Sequence, residues 1–423
     1  MDGTFLCTFR GVCGHGAGVA AQPNILWIVT TQWRAQALGS AGDVNALTPW
    51  LDGLASEAVN YAQATTPHPL GPQARAALLT GKLCPDNGVR GYWDPLPTEA
   101  RTVAHALADR GYATAWFGKW HLAPRDRAAP FVGEAHAKQL VPAERRGGFE
   151  LWEGFEGGFL LNDPWLHGTR LAEPRQFRGY QAEVLVQRAA DWLREPHSRP
   201  TFCVVSLEAP HPPYHAPAPH VREPAPDGLK LRANVPLGGD VEAKARHELA
   251  GYYAHVEATD RAIGKLLAEV DLSETLVVFT SVHGDMHGAH GLFRKAWPYE
   301  ESVRVPLLIR GLRAENRGRR DETPVSLVDL GHMAVAWAEG REWHCRRDSA
   351  PISMPEATDI PLQCPWAWRG FRSPQHKVVL RREADGREVP WLAYDLGRDP
   401  QEMHNLVEVP ARAAEVREWL RWL

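Results

Sequence analysis

The residues best placed to do chemistry lie in Thr65 to Lys82, which reads TTPHPLGPQARAALLTGK. Pro67, Pro69, Gly71 and Pro72 make a turn-rich segment that runs directly into the helix-forming block Arg75-Ala-Ala-Leu-Leu, closing on Gly81. A loop entering a helix leaves the first backbone N–H groups free, and together with the helix dipole they favour an anion. Arg75, at the start of that helix, adds a fixed positive charge. The chemistry this allows is the binding of an oxyanion.

The elements that must position this loop follow from hydrophobic patterning. Ile25 to Thr30 is a continuous apolar run suited to a buried parallel strand. Thr48-Pro49 supplies a cap and a first-turn proline for a helix whose inner face is Leu51, Leu54, Ala55 and Ala58. Further on, a helix is expected over Thr102 to Arg110 and a strand over Ala113 to Phe117. A helix over Tyr180 to Glu195 precedes a strand over Phe202 to Leu207, and a long helix lies within Val241 to Val270. Strands at Leu276 to Thr280 and Pro306 to Arg310 complete the series. Strand and helix alternating at this spacing predict an α/β fold, a mostly parallel sheet sandwiched by helices, with ligands bound at the carboxyl ends of the strands. A composition shift between about Gly340 and Pro365 marks a boundary, beyond which His376 to Arg382 and Trp391 to Leu396 read as antiparallel strands before a terminal helix from Pro410. The expected organisation is a disordered extension over 1–22, an α/β domain over 23–345 and a small C-terminal subdomain over 346–423.

Composition narrows the function classes. Over 423 residues, 44% hydrophobic and 23% charged content are those of a soluble globular protein. A formal net charge of −4 gives no argument for nucleic acid or an anionic membrane surface. No apolar run approaches the roughly 20 residues needed to span a bilayer. Cys7, Cys13, Cys84, Cys203, Cys345 and Cys364 are scattered without C-x-x-C spacing, which suits reduced thiols. Phe5 to Phe9 is too short and polar for a signal-peptide core, and Asp2 spoils a basic start. Cytoplasmic location is therefore expected.

The block RAALLTGK resembles the signature of the sulfatase family within the alkaline-phosphatase superfamily, and the segment YDLGRDPQEMHNLV at Tyr394 to Val407 is similar to that family's C-terminal signature. The resemblance, to arylsulfatase and phosphonate monoester hydrolase members, runs from Pro23 nearly to the end. It implies an alkaline-phosphatase-like fold and hydrolysis of sulfate, phosphate or phosphonate esters by a formylglycine made from Cys or Ser. Here Gly71, or Leu70 when the proline is aligned, stands at that position, and neither can become a nucleophile. The family's Ca²⁺ carboxylates are replaced by Thr31 in VTTQWR and by Val282 in VHGD, leaving His283. A hard dication wants six or more oxygens, several of them anionic. The resemblance also implies sulfate-binding roles for Lys119 in FGKWHL and Lys295 in GLFRK, a role in breaking down the covalent intermediate for His121, and a place on the leaving-group side for His211 in APHPPY.

Removing the metal together with its carboxylates leaves Arg75, Lys119 and Lys295 as a cationic pocket without a nucleophile or a Lewis acid. The expected function is that of an anion-binding pseudoenzyme that takes a sulfate- or phosphate-bearing small molecule and needs no cofactor. One alternative is an active ester hydrolase with a rebuilt site, for instance Zn²⁺ at His283, His287 and His290. Another is a structural partner, an oligomer with itself or with an intact homologue. Cys84, beyond the helix after Arg75, is expected to be remote from the pocket, and Arg310, Arg313, Arg317, Arg319 and Arg320 to form a solvated surface. Family members are often secreted, so periplasmic or extracellular location is the alternative to the cytoplasm.

Overall fold

The computed structural model describes residues 22–312, 314–343 and 347–423; the N-terminal extension, Cys7, Cys13, Arg313 and Cys345 lie outside the described residues. Among the described residues fourteen strands are formed: β1 Asn24–Thr30, β2 Val59–Tyr61, β3 Ala113–Lys119, β4 Leu151–Phe155, β5 Trp165–Gly168, β6 Arg175–Gln176, β7 Thr201–Ser206, β8 Thr275–Ser281, β9 Leu307–Arg310, β10 Arg320–Asp321, β11 Ala350–Met354, β12 Trp368–Arg372, β13 His376–Arg382 and β14 Glu388–Asp395. The α-helices are α1 Pro49–Glu57, α2 Gly71–Thr80, α3 Val103–Ala108, α4 Glu134–Ala137, α5 Gln181–Arg194, α6 Asp240–Ala268, α7 Glu300–Val303, α8 Leu330–Ala338 and α9 Ala413–Trp419. The first ten strands make one sheet in the order β10-β2-β9-β8-β1-β7-β3-β4-β5-β6, and the last four make an antiparallel sheet in sequence order.

The centre of the large sheet is parallel. β1 lies between β7 and β8, and β3 flanks β7, all four running in the same direction. These strands are buried along nearly their whole length, as continuous apolar runs covered on both faces must be. One core, around Leu26, Ile28, Val205 and Phe279, packs under α1, α5 and α6; the other, around Trp27, Val29, Trp116 and Val204, packs under α2, α3 and α8. Towards the edges the sheet departs from the expected parallel arrangement, since β9 is antiparallel to both β8 and β2, and β5 to β4. Between β8 and β9 the chain carries a short 3-10 turn at Ala289–Gly291 and the four-residue α7, with no crossover helix to return it to the opposite edge, so β9 enters antiparallel.

Two local expectations change. Thr48 does not cap α1; its hydroxyl accepts from Gly39 N–H and donates to Asp52, while the Asp260 carboxylate on α6 accepts the N–H groups of Trp50 and Leu51. Arg310 is not solvated surface either. It is 5% exposed, and its guanidinium donates to Glu57 and to the Leu272 carbonyl. No helix among the described residues is long and apolar enough to cross a membrane.

The small sheet is fastened to the main body by buried charge. Lys377 on β13 places its ammonium 2.8 Å from Glu300 on α7 and 2.7 Å from Glu402, and Arg372 on β12 donates to Glu300 at 2.9 Å. Glu402 also accepts the backbone N–H of Glu300. His290 completes a group with Glu301 and Glu402 whose ligating atoms lie within 4.8 Å of one another. Arg232 already pairs with Glu301 at 2.6 Å and Lys377 with Glu402, so these carboxylates are answered without a metal ion.

Candidate active site

Strand register brings the separated motifs together. Val29 pairs with Ser206, Thr30 with Ser281, and Gly118 with Ser206, so β1, β7, β8 and β3 end at one level. Thr31, Glu208, Val282 and Lys119 therefore face one another at the carboxyl edge of the sheet. α2 starts against the same edge, with Gly71 through Leu79 all buried, and ends at Gly81 in the left-handed conformation (φ 67°) that glycine favours.

Arg75 is fully enclosed. Its guanidinium donates to the Ser206 hydroxyl at 2.7 Å, the Thr31 hydroxyl at 3.0 Å and the Lys119 carbonyl at 3.2 Å. Lys119, 1% exposed, makes a 2.5 Å ion pair with Glu208, which is 0% exposed. Glu208 also lies 3.7 Å from Nδ1 of His211. His211 is a neutral imidazole: Nδ1–H donates to the Pro212 carbonyl at 2.8 Å while Nε2 accepts from the Lys295 ammonium at 2.9 Å. Lys295 donates as well to Gln32 at 2.6 Å. Arg75, Lys119, His211 and Lys295 thus form one continuous chain of contacts, with His121 beside it.

Burial sets the protonation of this cluster. It pulls the Lys119 ammonium down to about 8, despite Glu208, and the Lys295 ammonium to about 7, helped by the charge of Lys119. Burial first, and the surrounding cations second, hold His121, His211 and His283 well below the ordinary imidazole value, so all three are neutral near pH 7. Burial alone would raise the Asp285 carboxyl, but His287, Arg294, the Tyr214 hydroxyl and Lys295 outweigh it and keep Asp285 ionised.

The cations are not left unanswered, contrary to the expectation from sequence. Glu208 faces Lys119, and Asp285 lies close enough to Lys295 to oppose its loss of charge. Sequence reasoning also missed Gln32, Tyr92, Phe159 and Tyr214. Gln32, His121 and Phe159 have left-handed backbones (φ 67°, 60° and 51°), a conformation uncommon outside glycine and worth noting where it clusters at a site. The Phe159 ring stacks on His211 at 4.4 Å and sits 4.7 Å from the Lys119 ammonium, closing the pocket from above. Beside His121 a cavity of only about 10 Å³ remains, bounded by Tyr92, Trp93, Arg125, Phe131 and Phe159.

Where a nucleophile would be expected, there is no room for one as the chain stands. A Cβ added to Gly71 would lie 2.7 Å from Nδ1 of His121, closer than such atoms approach. That nitrogen has no hydrogen-bonding partner among the described residues, and Nε2 of the same ring faces the Tyr92 hydroxyl at 3.3 Å. Leu70, the other candidate position, is fully buried apolar core. Cys84 is no substitute: its Sγ lies 2.7 Å from the Val89 carbonyl, and burial pushes its thiol up to about 12.

The donor set does not fit a hard dication. The Thr31 hydroxyl donates to the Leu207 carbonyl and accepts from Arg75, and Val282 is buried hydrocarbon. Asp285 accepts from Tyr214, Gln32 and the N–H groups of His287 and Arg294. His283 offers Nε2 without a partner among the described residues, but one imidazole does not hold Ca²⁺. The zinc alternative is not assembled. His283 bonds the Gly284 carbonyl, His287 packs between Tyr214 and Tyr252, and His290 stacks on Tyr299. Elemental analysis of purified protein should accordingly find no stoichiometric Ca²⁺ or Zn²⁺; one tightly held ion per chain, lost on His283→Ala, would reverse this reading of the donors.

The family model described as Sulfatase matches residues 23–340. The chain belongs to the sulfatase family. An ulvan-active sulfatase of Formosa agariphila is 34% identical over 411 residues, covering 92% of this chain and 78% of the relative. The yidJ protein of Bacteroides fragilis superposes with a TM-score of 0.81 at 23% identity, covering 97% of this chain and 96% of the other. The phosphonate monoester hydrolase of Agrobacterium radiobacter gives 0.72 at 22% identity, covering 95% and 94%. The large mixed sheet between helices, followed by a four-stranded antiparallel sheet, is the alkaline-phosphatase-like fold of this family of sulfate and phosphonate ester hydrolases, which usually employ a metal ion.

Proposed function

We propose that this sulfatase-family protein binds a sulfate- or phosphate-bearing small molecule through Arg75, Lys119 and Lys295 without hydrolysing it. The observation that carries the reading is Gly71: the position from which a nucleophile would attack has no side chain, and His121 stands against it. Catalysis of ester hydrolysis by this machinery needs a nucleophile and an electrophile to answer the charge that develops, and Thr31 and Val282 supply no carboxylate to hold a metal. What remains suits recognition. Two ammonium groups and a guanidinium lie in one buried cluster beside the start of α2, where N–H groups also favour an anion.

The mouth of the site fits a saccharide bearing the anion. Trp93 and Phe131 stack at 5.6 Å and 29°, with the guanidinium of Arg125 at 5.3 Å and that of Arg127 at 5.8 Å from the Trp93 ring. An aromatic pair of this kind offers a platform for a sugar ring, and Arg127 a donor for its anionic substituents, Arg125 being engaged with Glu156 and the Tyr92 carbonyl. The ulvan-active sulfatase among its relatives is in keeping with that class.

Aryl sulfates, phosphate monoesters and phosphonate monoesters are expected to show no turnover with wild type, and none with Gly71→Cys. Turnover that survives stringent purification and disappears in Lys119→Ala would overturn the non-hydrolytic reading.

A further inference from the structure

The carboxylate of Glu208 occupies the place where an external anion would be expected to sit. Oε1 is 2.5 Å from the Lys119 ammonium and 3.7 Å from Nδ1 of His211. Oε2 is buried and has no hydrogen-bonding partner among the described residues. The Phe159 ring lies over Lys119 and His211, so the pair is sealed from above. The cavity beside His121, lined by Phe159 but by neither Lys119 nor Glu208, is about 10 Å³, room for about one water and not for a tetrahedral oxyanion. A bound sulfate and Glu208 cannot both satisfy Lys119.

We propose that Glu208 is a built-in occupant of the oxyanion subsite, and that a sulfate or phosphate group binds by displacing its carboxylate from Lys119. The proposal rests on the anion-binding reading given above. Charge explains why an occupant is useful. Lys119 and Arg75 are fully enclosed, and cations buried together repel each other and lose hydration unless an anion answers them. Glu208 answers them in the ligand-free protein, while its backbone is held in place by its own N–H, which donates to Gln181 at 3.1 Å. The side chain can therefore leave the subsite without moving β7. Phe159, between Gly158 (φ 99°) and the buried core, is the group that must swing with it.

The test is a calorimetric titration of inorganic sulfate, at pH 6.5 and fixed ionic strength, into wild type, Glu208→Ala, Glu208→Gln and the double variant Glu208→Ala with Lys119→Met. Glu208→Ala should bind sulfate about tenfold tighter than wild type, since the competing carboxylate is gone. Formate, a carboxylate small enough for the vacated space, should raise its melting temperature more than that of wild type, and the double variant should lose both responses. Should Glu208→Ala fold only when formate or sulfate is present, that dependence supports the proposal equally. If wild type binds sulfate and neither Glu208 variant binds it more tightly, Glu208 is not the occupant and the anion-binding reading stands. If no variant binds sulfate at all, both fall. Hydrolysis by wild type would overturn the non-hydrolytic reading alone, because inorganic sulfate binding is read independently of turnover.

Discussion

Replacing Lys377 with Met is expected to cost the folded protein about 3–5 kcal/mol, the range for breaking a buried ion pair by removing one partner. Lys377 is 0% exposed and its ammonium is shared between Glu300 and Glu402, so the substitution strips buried Glu402 of its ammonium and leaves Glu300 to Arg372 and Arg304. The loss should appear as a lower denaturation midpoint with little change in slope. Adding Glu402→Gln to Lys377→Met should recover part of it, because the orphaned charge is then removed. A loss below about 1 kcal/mol in the single variant would mean that the two sheets are joined chiefly by the apolar contacts of Met354, Trp368 and Leu392 with Met286 and Ala296.

The second large effect is on pH. Sulfate affinity should be highest below pH 7 and fall about tenfold between pH 6.5 and 8.5, as Lys295 (about 7) and then Lys119 (about 8) lose their protons. The sign for folding is the opposite. Both lysines have folded values below the roughly 10.5 of an unfolded chain, so above pH 7 the unfolded state binds more protons and their share of ligand-free stability rises with pH. Glu156 works against them: burial lifts its carboxyl to about 8, and its share of stability is lost as pH rises through that value. The difference between melts in sulfate and in chloride cancels these contributions, and comparing it between wild type and Lys119→Ala removes sulfate's general exclusion from protein surface and isolates the bound anion. A difference that stays flat from pH 6.5 to 8.5 would remove Lys119 and Lys295 from the anion site.

The parts of this site that could be read in the sequence are those that sit inside local motifs. RAALLTGK carries Arg75 in the first turns of α2, FGKWHL carries Lys119 at the end of β3, and APHPPY and GLFRK lie in the loops that follow β7 and β8; the parallel register of β1, β3, β7 and β8 then brings them together. What stayed hidden depends on pairing across strands. Glu208 lies three residues before His211, but nothing in the spacing says that its carboxylate meets Lys119 from the neighbouring strand. Gln32 and Phe159 act through left-handed backbone conformations that ordinary propensities do not suggest. The antiparallel edge at β9 was hidden for a related reason, because an apolar run of four residues carries no direction.

The contact between Gly71 and His121 bears on how reversible the chemistry of this chain is. A side chain at position 71 must displace the His121 ring, which is enclosed against Tyr92 and reached through a left-handed backbone. Such a substitution meets a steric cost at once, whereas any catalytic return waits on carboxylates at positions 31 and 282 as well. A carboxylate at position 31 would in turn take hold of Arg75, whose guanidinium now spans Thr31 and Ser206. The changes are thus coupled, each unfavourable until the others are present. On the non-hydrolytic reading proposed above, a path made of single substitutions therefore has no first step that improves hydrolysis, and the site behaves as a ratchet rather than a pause.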